Sequence, residues 1–346
     1  MNLAWKEMKK SETKFMILGS IVFLISLLTF IISGLANGLS QDNAALIKNL
    51  PDGEIYMEAQ AEETHALSAI DGNVQEQVLS QTDGAFVFSI QMGFLLNEQD
   101  EQQSVAFVTS TDSAEFPEVS KGEIILDSSL EDEGIKQGDR FTNSQFSGEF
   151  TVAGFTGGAK YSHAPVAFIH PENYAEMHRT EQMQMLFVPE SAEPGAIAGL
   201  QNFSNEAFLN TLPSYNAEQL SLSMIVWFLV VISGMLFAIF FYMMNIQKLG
   251  LYGILKAIGV KTSALFRMIW TQMFVITAIA LALSIAISQL FNSLAPGGMP
   301  FYLPVSITFQ LSAVFFAIGF AGATLSGIQI HKVKPLQAIQ QGEGSA

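Results

Sequence analysis

Few residues in this 346-residue chain are spaced for covalent chemistry. No G-x-x-x-x-G-K-[ST] occurs, so the chain carries no nucleotide-cradling P-loop. H-E-x-x-H and G-x-S-x-G are also absent, and with no Cys there is no Cys/His cluster and no thiolate ligand for a metal. The long apolar runs hold no Asp, Glu, Lys or Arg, which argues against a proton relay or an ion-coupled path, because intramembrane ionisable groups mark those. A chain that moves something without such a path draws its energy from a partner. The segment placed to receive that energy runs from 247 to 261, Gln-Lys-Leu-Gly-Leu-Tyr-Gly-Ile-Leu-Lys-Ala-Ile-Gly-Val-Lys.

Four uncharged runs must hold that segment. They cover 15–35, 220–247 and the charge-free interval 268–330, which is broken once by Ala-Pro-Gly-Gly-Met-Pro at 295–300. A bilayer's hydrocarbon core takes about 20 apolar residues to cross as a helix, so the runs predict spans at 15–37, 219–247, 264–294 and 305–330. An N-terminal apolar run also reads as a cleaved signal peptide. This one exceeds a usual h-region and no small-x-small site follows it, so a retained span is expected. Residues 1–14, 248–267 and 331–346 hold 10 of the 16 Lys+Arg and 3 of the 32 Asp+Glu, whereas 38–218 holds 6 basic and 29 acidic residues. Short basic loops stay inside. Both termini and 248–263 are therefore expected in the cytoplasm of a cell-membrane protein. The domain at 38–218 and the short loop at 295–304 are expected outside. The acidity resides in the outer domain, so it implies no nucleic-acid partner.

Trp5 and Met8 among Lys6, Lys9, Lys10 and Lys14 read as an interfacial helix over 1–14, its basic side toward lipid headgroups. The outer domain alternates β-like runs with turn residues: 54–57, 85–90, 104–109, 123–126, 149–155 and 165–169. Helical pieces are expected at 65–80, 172–180 and 195–210, giving a mixed α+β domain. Without Cys it is stabilised by an ordinary core. In the fourth span Gly319, Ala323 and Gly327 lie at i, i+4, i+8, small residues that permit close helix packing within or between subunits.

The segment Gly253-Ile254-Leu255-Lys256-Ala257-Ile258-Gly259 resembles the E-x-G-I-L-[KR]-A-[IL]-G signature of permeases in the MacB/FtsX/LolE group of ABC systems. Gly-Glu-Ile-Ile-Leu at 122–126 with Gly-Ile-Lys-Gln-Gly-Asp at 134–139 resembles that group's outer domain. So do Thr-Val-Ala-Gly-Phe at 151–155 and, in the tail, Lys-Pro-Leu-Gln-Ala at 334–338. The resemblance covers essentially the whole chain. It implies a MacB-like fold, four transmembrane helices with an α+β extracytoplasmic domain between helices 1 and 2. It also implies a permease subunit, not an enzyme, working as a homodimer with two copies of a separate ATPase that carries ATP and Mg. Tyr252, Gly253, Leu255, Lys256, Ala257, Ile258 and Gly259 would couple to that ATPase. Leu251 stands where the group has Glu, so the contact should rest on apolar packing plus Lys256.

Tyr252 before the signature and Tyr-Ser-His-Ala-Pro-Val-Ala-Phe at 161–168 are similar to haem-exporter permeases of Gram-positive bacteria, the HrtB type. That similarity implies haem as transported substrate, removed for detoxification, with an HrtA-like ATPase and no intrinsic cofactor. A porphyrin needs a flat apolar slot and often a His, Met or Tyr on its iron. Phe30, Ser33, Asn37, Met224, Trp227 and Phe228 fall at one membrane depth near the outer ends of the first two spans. Tyr161 and His163 lie on an outer-domain loop, and Tyr215 and Glu218 precede the second span. Iron is expected on one or two of Tyr161, His163, Met224 and Glu218; His170 and His178 read as solvated loop residues. The outer acids would repel propionates, so haem is expected to enter sideways from lipid. The alternatives are export of an amphipathic peptide or lipid-linked compound, or an FtsX-like relay that controls an external hydrolase.

Overall fold

The basic start of the chain forms a short helix, α1 (Asn2–Lys10), set off from the long α2 (Glu12–Lys48). The computed structural model describes residues 2–192, 195–294 and 299–332. Helical dihedrals in α2 break at Ala44 (φ −142°, ψ 16°), and Pro51 closes off any continuation. The α+β unit follows as β1 (Gly53–Glu58), α3 (Gly72–Gln81), β2 (Phe86–Leu96), β3 (Gln102–Ser110), β4 (Glu123–Asp127), α4 (Ser129–Asp132), β5 (Arg140–Asn143), β6 (Phe146–Thr156), β7 (Lys160–Tyr161), β8 (Ala164–Ile169), α5 (Pro171–His178), β9 (Met185–Pro189), β10 (Leu200–Ser204) and α6 (Asn205–Thr211). Then come α7 (Pro213–Gln247), α8 (Leu249–Ala257), α9 (Thr262–Leu294) and α10 (Val305–Lys332). Four of these helices, α2, α7, α9 and α10, are long and apolar enough to cross a membrane. The mixed α+β region sits between the first two of them in the chain, the architecture of the MacB/FtsX-like group.

The chain divides into two compact units, residues 38–220 and the remaining helices. In the α+β unit the strands run in the order β10-β1-β9-β2-β3-β8-β4-β6-β5, with β7 on β8. Leu96 at the end of β2 also pairs with Thr142 of β5, so six strands close on themselves. Pairing is antiparallel except for β3–β8 and β4–β6. Phe107, Leu126, Phe150 and Val152 fill one core inside that ring, and Phe86, Phe88, Phe116, Phe168 and Phe187 fill another. All six strands read from the sequence exist, lengthened by neighbours that complete their ladders.

Two helical expectations need correction. Residues 195–210 are not one helix: 200–204 form β10, paired with β1 from Glu54↔Ser204 to Glu58↔Leu200, and only then does α6 start, capped by the Ser204 side chain on the Ala207 N–H. The free edge of β1 offers ladder hydrogen bonds that local propensity does not reveal. The helix expected at 65–80 begins only at Gly72, where the Asp71 carboxylate caps the Asn73 N–H; His65–Leu67 is a separate 3₁₀ turn.

In the helical unit, Ser26 of α2 and Ser284 of α9 share a 2.6 Å hydrogen bond. Gly322 lets α10 approach α7 closely, since a Cβ there would lie 3.0 Å from the Ala238 N. The other small residues of α10 also pack inside this chain: a Cβ on Gly319 would meet Met273, one on Gly327 would meet the Phe266 ring, and Ala323 is buried. The coupling helix expected over 248–263 is the shorter α8. It ends at Ala257, Gly259 just beyond takes a φ of +91° that favours glycine, and α9 has begun by Thr262. The tail motif at 334–338 and the loop residues 295–298 lie outside the described residues.

Candidate functional site

Three groups of residues could carry function, and each is built within one unit. In the α+β unit, the tight turn between β7 and β8 places Ser162 (φ 51°) and His163 (φ 61°) in left-handed backbone. The Ser162 N–H donates to the Asn43 carbonyl at 2.7 Å, which ties the turn to the end of α2 beside its break. His163 then bridges two carboxylates, with Nδ1 3.2 Å from Asp42 and Nε2 3.4 Å from Glu218. Asn43 Nδ2 donates to Glu218 at 3.1 Å, and Lys160 Nζ donates to Asp42 at 2.5 Å. His163 and Glu218, both expected as iron ligands, thus meet in one half-buried polar cluster.

Tyr161 does not join them. Its ring is in the apolar core and its hydroxyl lies 3.1 Å from His65 Nε2. Burial pushes the Tyr161 hydroxyl well above its usual range and holds the His65 imidazole down at about 4, so both are neutral near pH 7 and the hydroxyl donates. His65, Asp42, Asn43 and Lys160 were not picked out from the sequence. Nothing in their local pattern separates them from other polar residues of an acidic domain.

In the helical unit, Met224, Trp227 and Phe228 lie on one exposed face of α7, Trp227 being 65% exposed. Their spacing of three and four residues continues through Val231 and Met235, so the face is a stripe. Phe30 does not share it. That ring is fully buried against Phe315, 6.4 Å between centroids, with Leu281 and Phe301 around it. Asn37 donates its side-chain N–H to the Ser33 carbonyl at 2.8 Å, one turn back in the same helix.

At the other end of these helices, α8 presents Leu251, Ile254, Ala257 and Ile258 outward at helical spacing, Ile258 being 72% exposed. Tyr252 and Gly253 face inward and are buried. The Tyr252 hydroxyl donates to Asn245 Oδ1 at 2.9 Å, and Asn245 Nδ2 donates to Ser326 of α10 at 2.9 Å. Lys248, just ahead of α8, pairs with Glu7 of α1 at 2.7 Å, and Gln272 of α9 donates to the other Glu7 oxygen at 2.9 Å. Lys248 also stands 5.3 Å above the Phe15 ring. The short helix is therefore fastened to α1, α7, α9 and α10. Asn245 and Gln272, polar side chains inside apolar runs, were the sequence signal for this network.

Comparison with known proteins agrees with this architecture. Residues 223–335 match the family described as FtsX-like permease C-terminal. A protein of Staphylococcus haemolyticus is 28% identical over 355 aligned positions, which cover 98% of this chain and 99% of its own length. One from Staphylococcus epidermidis is 26% identical over 356 positions, covering 99% and 100%. Both bear the name "Putative hemin transport system permease protein HrtB". The chain is thus similar, end to end, to proteins named as hemin transport system permeases, and over 223–335 to the FtsX-like permease C-terminal family.

Proposed function

Taking similarity to HrtB-type, FtsX-like permeases as the premise, we propose that this chain exports haem from the outer leaflet of the cell membrane. In this reading a separate ATPase powers the step, the permease is a homodimer, and two ATPase copies attach to it. Both termini and α8 lie in the cytoplasm and the domain at 38–218 lies outside. The observation that carries the reading is the outward apolar stripe of α8. Leu251, Ile254 and Ile258 have no reason to face cytoplasmic water unless a partner covers them. The buried Tyr252, Asn245 and Ser326 chain supports it, because it fixes that stripe to two spans.

The haem assignment rests on the relatives' name and on the exposed Met224, Trp227 and Phe228 stripe, a flat apolar surface with a thioether that suits a porphyrin. One or two of Glu218, His163 and Met224 are the proposed iron ligands, since a porphyrin leaves two axial positions. Tyr161 would have to surrender His65 to take part. ATP binding that favours a closed dimer would squeeze the substrate out, which requires substrate affinity to differ between the two states.

The test is spectral titration with haem of the chain in nanodiscs, with and without its cognate ATPase. Binding should give a saturable absorbance band, shifted in Glu218→Gln and Met224→Ala but retained in Tyr161→Phe, and haem should change the ATPase rate. Failure of haem to alter either signal would refute the substrate assignment.

A further inference from the structure

Beyond the transport path, one cavity of the helical unit has a chemistry of its own. Between α1, α2 and α9 lies a groove of about 340 Å³, lined by Met8, Phe15, Met16, Gly19, Phe23 and Ile276 among others, and almost wholly apolar. It follows α2 from Phe15 to Phe23, about 12 Å at 1.5 Å per residue. Gly19 and Ala280 keep it open: a Cβ on Gly19 would find only the Ile276 methyl, at 3.6 Å. A groove with this lining suits a hydrocarbon chain.

One end of the groove is marked by charge. Met8 belongs to α1, where Lys6, Lys9 and Lys10 are all exposed. At 100° per residue, Trp5 and Lys9 flank Met8 on the side away from Glu7, which is committed to Lys248. Lys14 is occupied by Gln247 and Glu12 adds one negative charge, but the exposed face of α1 itself is cationic. A cationic helix with an exposed Trp, at the mouth of an acyl-sized slot, matches a lipid with a negative headgroup.

We propose that this groove is a binding site for an anionic glycerophospholipid, with one acyl chain between α2 and α9 and the headgroup on Lys9, beside Trp5. The site owes nothing to the haem reading. Bound lipid would hold α1 against α2 and α9, and so support the Glu7–Lys248 pair from outside.

The experiment is native mass spectrometry of the delipidated full chain titrated with phosphatidylglycerol or phosphatidylcholine of identical acyl chains. Phosphatidylglycerol is expected to be retained preferentially. Lys9→Gln should weaken it about fivefold and leave phosphatidylcholine unchanged, whereas Lys10→Gln, on the far side of α1, should change neither. Gly19→Leu, which projects a side chain into the slot, should weaken both lipids. Equal retention of the two lipids by the unaltered chain, or full retention of phosphatidylglycerol by Lys9→Gln, overturns the proposal. So does full binding by a folded Gly19→Leu protein. The lysine arm stands even if Gly19→Leu fails to fold, because Lys9 is exposed.

Discussion

Replacing Lys248 by Met tests whether α8 is mechanically fastened to the rest of the helical unit. The Glu7 and Lys248 side chains are 10% and 12% exposed and 2.7 Å apart. Neither Glu7 Oε1 nor Lys248 Nζ has a hydrogen-bond partner among the described residues, so each relies on the ion pair. Removing one member of a buried pair costs about 3–5 kcal/mol, most of it from the charge left behind. Glu7 would keep its hydrogen bond from Gln272, and a bond to a charged group is worth about 1.5–3 kcal/mol. The loss should therefore sit near the low end, roughly 3 kcal/mol. Removing both charges, with Glu7→Gln and Lys248→Met together, strands neither and should cost about 1 kcal/mol, comparable to an ordinary lost hydrogen bond.

The assay is a double-mutant cycle on unfolding of the purified chain in mild detergent, followed by helical circular dichroism. The double variant should be more stable than Lys248→Met alone. If the two single changes simply add, the pair contributes no coupling and α8 is not held through α1.

Two more outcomes follow from the geometry. Ile258→Asp, on the exposed stripe of α8, should leave the fold intact yet abolish co-purification of the cognate ATPase; retained ATPase would remove α8 as the docking face. His65, held at about 4 against an ordinary 6.5, is neutral in the folded chain, so only the unfolded state takes up a proton as pH falls through 6.5. Stability of the α+β unit should therefore decline between about pH 6.5 and pH 4, by roughly 3 kcal/mol at 1.36 kcal/mol per pH unit. His65→Gln should flatten that part of the pH curve, and an unchanged slope would show that another group is responsible.

The two kinds of site differ in how far the sequence revealed them. The outward stripe of α8 could be read in advance because its periodicity is local: Leu251, Ile254 and Ile258 share a face once 249–257 is helical. Tyr252 was expected to contact the ATPase with them, yet it faces inward to Asn245. A helical wheel shows which residues share a side but not which side meets the bundle. Phe30 was grouped with Met224, Trp227 and Phe228 by membrane depth. Depth fixes position along a span and leaves rotation about it open, and the rotation buries Phe30 against Phe315. The 200–204 strand was missed because its partner, β1, lies about 150 residues earlier.

The order of residues alone determined four crossings and an intervening α+β domain, since hydrophobic length and alternating runs are properties of contiguous segments. Only the tertiary structure decided that Glu7 meets Lys248 and Gln272, that His163 joins Asp42 to Glu218, and that Tyr161 turns to His65. Each of these contacts brings together residues far apart in the chain. Its free energy depends on burial and on the partner's approach, and neither is written in the local sequence.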